Sequence, residues 1–239
     1  MMSKRRIRAI FRKELKDYRR NRQIVVTMGL FPLFFSVYPA IEIFTLPSST
    51  VSALAQRQPL VYMLGIPALV PAALGAFSVA GERQQGTLEP VLTTPIRREE
   101  FLLGKALAAI VPTLIVAYGL YGIFVAAIEI FAKPGVAAAV LNGPELAGQL
   151  LFTPLVAGFS IWVGIAISAR SNDARVAQQL SILASVPVLV VAIAISVGGI
   201  HATLHVAVLL AVVLLILDLV GWRIVPVLFD RERLITGTR

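Results

Sequence analysis

The sequence has no cysteine and only two histidines. Disulfides, thiolate metal sites and cysteine nucleophiles are thereby excluded. Charge is scarce too: Asp, Glu, Lys and Arg make up 15% of 239 residues, against 57% hydrophobic. With a mean hydropathy of +0.83, the chain is far too apolar for a soluble domain. Strict alternation of apolar and polar residues is missing, which argues against a membrane β-barrel. There is no G-x-x-x-x-G-K-[ST] either, because Gly104-Lys105 is followed by Ala106 and lacks the earlier glycine. The chain therefore has no P-loop for ATP. No clear internal repeat supports the inverted architecture of many secondary transporters.

What is present is long and apolar. A spanning helix needs about 20 mostly apolar residues to cross about 30 Å of hydrocarbon. Six stretches qualify: roughly 24–46, 59–80, 106–131, 146–168, 178–198 and 204–222. The expected fold is all-α, a polytopic membrane protein with a six-span domain over 24–222. The intervening outer loops, 47–58, 132–145 and 199–203, are too short for a folded extracellular domain. Gly198-Gly199 in the last of them is a candidate re-entrant break.

The net charge of +9 is unevenly placed, with twenty of the twenty-two Lys/Arg residues on alternate sides that include both termini. That asymmetry is what the positive-inside rule expects of cytoplasmic ends. The expected location is a membrane crossed six times, with both termini in the cytoplasm. Anionic lipid headgroups account for the basic excess, so membrane lipids are expected partners and nucleic acid is not. Residues 1–23 carry ten of these cations, too long a basic region for a cleavable signal. Within them Ile7, Ile10, Phe11, Leu15 and Tyr18 share one helical face, which predicts an amphipathic interfacial helix. Residues 223–239 are read as a cytoplasmic tail.

Between the second and third spans lies a polar island, 81–105, reading GERQQGTLEPVLTTPIRREEFLLGK. Thr87 suits an N-cap, and Leu88-Glu89-Pro90 a first turn in which proline is tolerated. Thr94-Pro95 stops that turn and restarts another helix with Pro95 at its first position, which feeds the third span. Leu88, Val91 and Leu92 fall at i, i+3 and i+4, one face of a helix of one or two turns. So short a helix needs something to pack against. Its own interfacial helix, lipid, or the groove of a soluble partner would each serve.

The island resembles the segment between the second and third spans of ABC-2 type transporter permeases, where E-x-x-x-G-T-L-E-x-x-L-x-x-P and a later G-K recur. The tail VLFDRERL, from Val227 to Leu234, is similar to that family's C-terminal motif. The six spans and basic N-terminal helix fit as well, and the flavour is that of sodium-extruding and drug-exporting members. The resemblance implies a permease that dimerises with an identical or paralogous partner and docks two ATP-hydrolysing subunits. It maps the coupling helix onto Gly86 to Thr94, with Gly86, Thr87, Leu88, Glu89, Val91 and Leu92 as docking residues. ATP and Mg would be bound by the partner, with no cofactor or metal on this chain. The implied function is export of a small hydrophobic or cationic compound or an ion, with dedicated sodium extrusion as an alternative.

Other chemistry fares poorly. An intramembrane serine protease would need Ser160, in Gly158-Phe159-Ser160, to meet His201 or His205. Ser160 lies about 21 Å into the fourth span by helical rise, toward the cytoplasm, whereas both histidines border the outer end of the sixth. Glu99-Glu100 lacks the nearby arginine of a glutamate-based protease. Of the acids within or beside spans, Asp218 is expected to pair with Arg223. Glu42 and Glu129 are expected to snorkel at the outer ends, or, if they face a dimer cavity, to select cationic cargo.

Overall fold

The computed structural model describes residues 2–45, 57–87, 96–133, 135–201 and 203–228. Among these there is no strand. The chain runs through α1 (Lys4–Arg20), α2 (Arg22–Thr45), a 3-10 segment (Pro59–Leu64), α3 (Gly65–Gln84) and α4 (Arg98–Phe131). It continues through the short α5 (Val136–Val140), then α6 (Gly143–Arg170), α7 (Ala174–Ser196) and α8 (Leu204–Leu228). Six spans are long and apolar enough to cross a membrane: Ile24–Thr45, Pro59–Gln84, Arg98–Phe131, Gly143–Arg170, Ala174–Ser196 and Leu204–Val227. The protein is an all-α polytopic membrane protein.

Element boundaries follow local chemistry. Asn142 caps α6 by accepting from the Glu145 N–H at 2.9 Å. Asp173 caps α7 by accepting from the Arg175 and Val176 N–H groups, and a short polar side chain in this role typically contributes about 1 kcal/mol. α3 and α7 both stop in Schellman turns. In the first, the Thr87 N–H reaches the Glu82 carbonyl around Gly86 at φ 67°. In the second, the Gly199 N–H reaches the Ala194 carbonyl around Gly198 at φ 80°. The Gly198-Gly199 pair is thus an ordinary helix stop rather than a re-entrant break.

The third span differs most from expectation. Its helix begins at Arg98, not at Pro95 or at 106, because Glu100 turns back to accept the Arg97 N–H at 3.3 Å. At 34 residues it is about 51 Å long, well beyond the ~30 Å of hydrocarbon, so its first turns project beyond the bilayer. The second span starts as a 3-10 segment and runs to Gln84, past the expected 80. The fourth runs Gly143–Arg170, and the fifth begins at Ala174 and ends at Ser196. The sixth continues as helix to Leu228, into the segment read as tail.

α3 is the centre of the bundle and lies mostly buried, whereas α8 is the most exposed span. α3 and α6 approach so closely that a Cβ on Gly164 would stand 2.7 Å from the Ala72 carbonyl. Small residues at such a crossing let backbones pack in a membrane. Every span has an internal proline, and Pro154 in α6 leaves the Leu150 carbonyl without its usual donor. The Tyr118 hydroxyl of α4 supplies one at 2.9 Å. Large aliphatic side chains on α2, α4, α7 and α8 remain exposed, as a lipid-facing surface requires.

Candidate functional site

α1 does not lie free on the bundle. Ile10 and Tyr18 are buried against the core, with Phe11 packed alongside. Gly104 lets α1 settle on α4: a Cβ there would stand 2.7 Å from Ile10 Cγ2 and 3.3 Å from the Ile7 carbonyl. One turn further along α1, midway between Ile10 and Tyr18, Glu14 shares this buried face, as its helical spacing dictates.

Glu14 meets its partner there. Lys105 Nζ, 1% exposed, lies 2.8 Å from Glu14 Oε1 and 3.2 Å from Glu82 Oε1. It also sits 4.8 Å from the centre of the Phe101 ring. Lys13 closes the cluster, pairing with Glu82 and standing 3.5 Å from Glu14 and 3.8 Å from Asp17. Burial pulls the Lys13 ammonium down, but the bond and charge of Glu82, helped by Glu14 and Asp17, more than offset it, so its pKa is raised. Burial, then Glu14, Glu82 and Asp17, hold the Tyr18 hydroxyl well above its usual range.

A second tie joins the N-terminus to the start of α4. Glu100 accepts from the Ser3 N–H at 2.6 Å and pairs with Arg6 at 3.4 Å. The Glu99-Glu100 pair is therefore split, with Glu99 exposed and Glu100 buried. A third tie joins the end of α3 to the α6–α7 turn. Arg83 donates to the carbonyls of Ser171 at 2.8 Å and Ala169 at 3.3 Å, and to Asn172 Oδ1 at 3.1 Å. Just inside, the Ser168 hydroxyl donates to the Ala76 carbonyl and accepts from the Val79 and Ala80 N–H groups. α1, the end of α3, the start of α4 and the α6–α7 turn thus meet at one end of the bundle, called the basic end below.

The expected docking residues fall on and beside this frame. Gly86 occupies the left-handed position of the α3 Schellman turn, and Thr87 is exposed beyond it, its hydroxyl 3.4 Å from the Glu82 carbonyl. Leu88, Glu89, Val91 and Leu92, with Thr94 and Pro95, lie outside the described residues, as does the tail from 229 onward.

The membrane acids divide. Glu42 accepts from Tyr38 at 3.2 Å and pairs with Arg57 at 3.4 Å, and its other oxygen is buried without a partner. Glu129 is exposed. Asp218 does not pair with Arg223 among the described residues; its carboxylate lies against Gly158, with Oδ1 unpartnered. The α8 helix carries Asp218 onto α6 rather than toward its own end. Glu145, which the sequence did not single out, is buried with both oxygens unpartnered, as is the Tyr121 hydroxyl. Among the described residues no base serves Ser160, whose hydroxyl is buried without a partner, and His201 and His205 are exposed. No cluster of three potential metal ligands occurs among the described residues.

Six spans, with an N-terminal helix clamped onto them by buried ions, define an α-helical polytopic membrane protein. Residues 8–230 match the family described as ABC-2 family transporter protein, and the chain belongs to that family. It is accordingly a membrane subunit of an ABC transporter, a class that works with an ABC ATPase. No curated protein matches the chain at a significant level.

Proposed function

We propose that this chain is the permease subunit of a bacterial exporter, seated in the cytoplasmic membrane with its basic end and both termini inside. Two copies of a separate ATPase dock on two permease chains, identical or paralogous, through the 81–105 loops. The observation that carries this reading is the shared anchor of the loop. Glu82 at one end and Lys105 at the other meet each other and Glu14 of α1. The intervening segment presents Leu88, Val91 and Leu92 at helical spacing. Force applied there is delivered to α3, the most buried span, and through Arg83 and Ser168 to α6. ATP and Mg act on the partner, which this chain's lack of a P-loop requires.

The cargo in this reading is a small hydrophobic or cationic compound, or an ion such as sodium. Glu42 and Glu129, at the opposite end of the bundle, bias the exit toward cations.

Co-expression with a candidate ABC ATPase subunit tests the docking. The wild type is expected to retain the ATPase through affinity purification, and Leu88→Asp or Leu92→Asp to lose it. Transport by the chain alone in liposomes without ATP would overturn the reading. Stimulation of ATP hydrolysis by sodium or by organic cations in the reconstituted complex then separates the cargo classes. Undiminished export by Glu42→Gln/Glu129→Gln would remove the two carboxylates from the pathway.

A further inference from the structure

Two sets stand out among the nine basic residues of α1. Arg6 and Lys13 are paired with the protein's own acids, Glu100 and Glu82. Arg12, Lys16 and Arg19, at i, i+4 and i+7, share another face and are exposed, and no carboxylate pairs with them among the described residues. These three cations border a cleft of about 540 Å³ between α1, α2 and α4. Its walls are apolar, formed by Leu15, Val25, Met28, Val111, Pro112, Ile115 and Val116. Tyr18 also lines it, with a hydroxyl that has no hydrogen-bond partner. The wall on α4 lies about two to three turns deeper along that helix than the Lys105 cluster. The cleft therefore runs from a cationic mouth at the basic end into apolar surface at membrane depth.

An occupant complementary to this shape needs an anionic head and an apolar tail. The geometry points to a seat for one anionic glycerophospholipid, its phosphate between Arg12, Lys16 and Arg19 and an acyl chain along Val25, Met28, Val111 and Ile115. Cations ranged over apolar surface recognise an anionic headgroup through charge, while the cleft supplies tail contacts that a general surface potential does not. The volume falls within the ~300–1,000 Å³ of ordinary ligand clefts. The bound lipid would lie beside the α1–α4 joint that Gly104 and Lys105 create, joining the anchored loop to the charge of the leaflet.

The full chain, delipidated and returned to nanodiscs of phosphatidylcholine with a minor share of phosphatidylglycerol, is then extracted and its retained lipid measured by native mass spectrometry. The wild type is expected to retain phosphatidylglycerol selectively. Arg12→Gln/Lys16→Gln/Arg19→Gln lowers that retention by roughly a hundredfold, from the loss of three headgroup contacts. Ile115→Trp, which fills the slot and leaves all cations in place, also abolishes selective retention. A control with Lys4→Gln/Arg5→Gln/Arg175→Gln, equal in charge change and outside the lining of the cleft, keeps it. Equal loss in the control triple would overturn the site in favour of diffuse attraction. Unchanged retention in Ile115→Trp would overturn the seated tail, as would equal competition by glycerol phosphate.

Discussion

Glu82 and Lys105 meet at 3.2 Å, so the two ends of the 81–105 island are joined by an ion pair inside the protein. Glu14 of α1 completes the joint at 2.8 Å from the same ammonium. The E…G…G-K pattern that marks the island therefore has a structural meaning. Glu82 and Lys105 close the base, Gly86 turns the chain out of α3, and Gly104 admits α1.

Removing Lys105 leaves Glu14 buried with Lys13, at 3.5 Å, as its one cation among the described residues. Breaking a buried pair by deleting one partner costs about 3–5 kcal/mol, chiefly because the other charge stays buried. Lys105→Met is expected to lower the denaturation midpoint accordingly. Lys105→Met/Glu14→Gln should recover much of the loss, since Lys13 still pairs with Glu82. Thermal unfolding of the four proteins of this cycle in one detergent measures the coupling, and simple additivity would refute it.

Gly86 holds φ 67°, where a Cβ is unfavourable by about 1–2 kcal/mol. No atom of the described residues lies within 4 Å of a Cβ built there, so the penalty is conformational. Gly86→Val is expected to destabilise the end of α3, whereas Gly86→Asn, which tolerates this geometry, is expected to behave nearly as wild type. Hydrogen exchange of the Thr87 amide, which closes the turn on the Glu82 carbonyl, distinguishes the two.

The spans were legible because lipid demands uniform apolarity over about 20 residues, a signal averaged over many positions. The basic amphipathic face of α1 was legible for the same reason. Single polar contacts were not. Lys105 stands at the start of ALAAIV and reads as a flank, until the long α4 helix places it under α1. Glu14 lies on the apolar face by spacing, four residues from both Ile10 and Tyr18, but its partner Lys105 is 91 residues away and could not be read from that pattern. Pairing of Asp218 with Arg223 followed from sequence proximity, but helix rotation aims Asp218 at Gly158. The start of α4 at Arg98 was hidden because Glu100, not Pro95, provides the N-terminal bonds.

The α1 joint should loosen in alkali. Lys13 and Tyr18 both bind their protons more tightly in the folded protein than their ordinary values of 10.5 and 10.0 imply. Stability from such groups is fully present below the unfolded pKa and is lost as pH rises toward the folded one. Lys13 is nearly half exposed, so its share is discounted for solvent screening. Opening of α1, read as hydrogen exchange relative to the intrinsic base-catalysed rate at each pH, should be constant from neutral pH to about 10 and rise above it. Tyr18→Phe, which removes one of the two protons, is expected to shift that rise to higher pH; an unshifted curve would exclude Tyr18 as a contributor.

Pro154 and Tyr118 offer a compensating pair on the outer surface of the spans. Proline has no N–H for the Leu150 carbonyl, and in hydrocarbon no water replaces it. The Tyr118 hydroxyl does so from α4 at 2.9 Å, tying the third span to the fourth. Tyr118→Phe keeps the ring but leaves the carbonyl unpaired, and is expected to cost about 1 kcal/mol, the usual scale of such bonds between membrane helices. Pro154→Ala restores an N–H four residues beyond Leu150, so in that background the carbonyl has an internal donor. Tyr118→Phe should then be nearly neutral. Unfolding in a graded denaturing detergent measures both backgrounds. An equal penalty in each would show that Tyr118 acts through packing of its ring and not through the carbonyl that proline exposes.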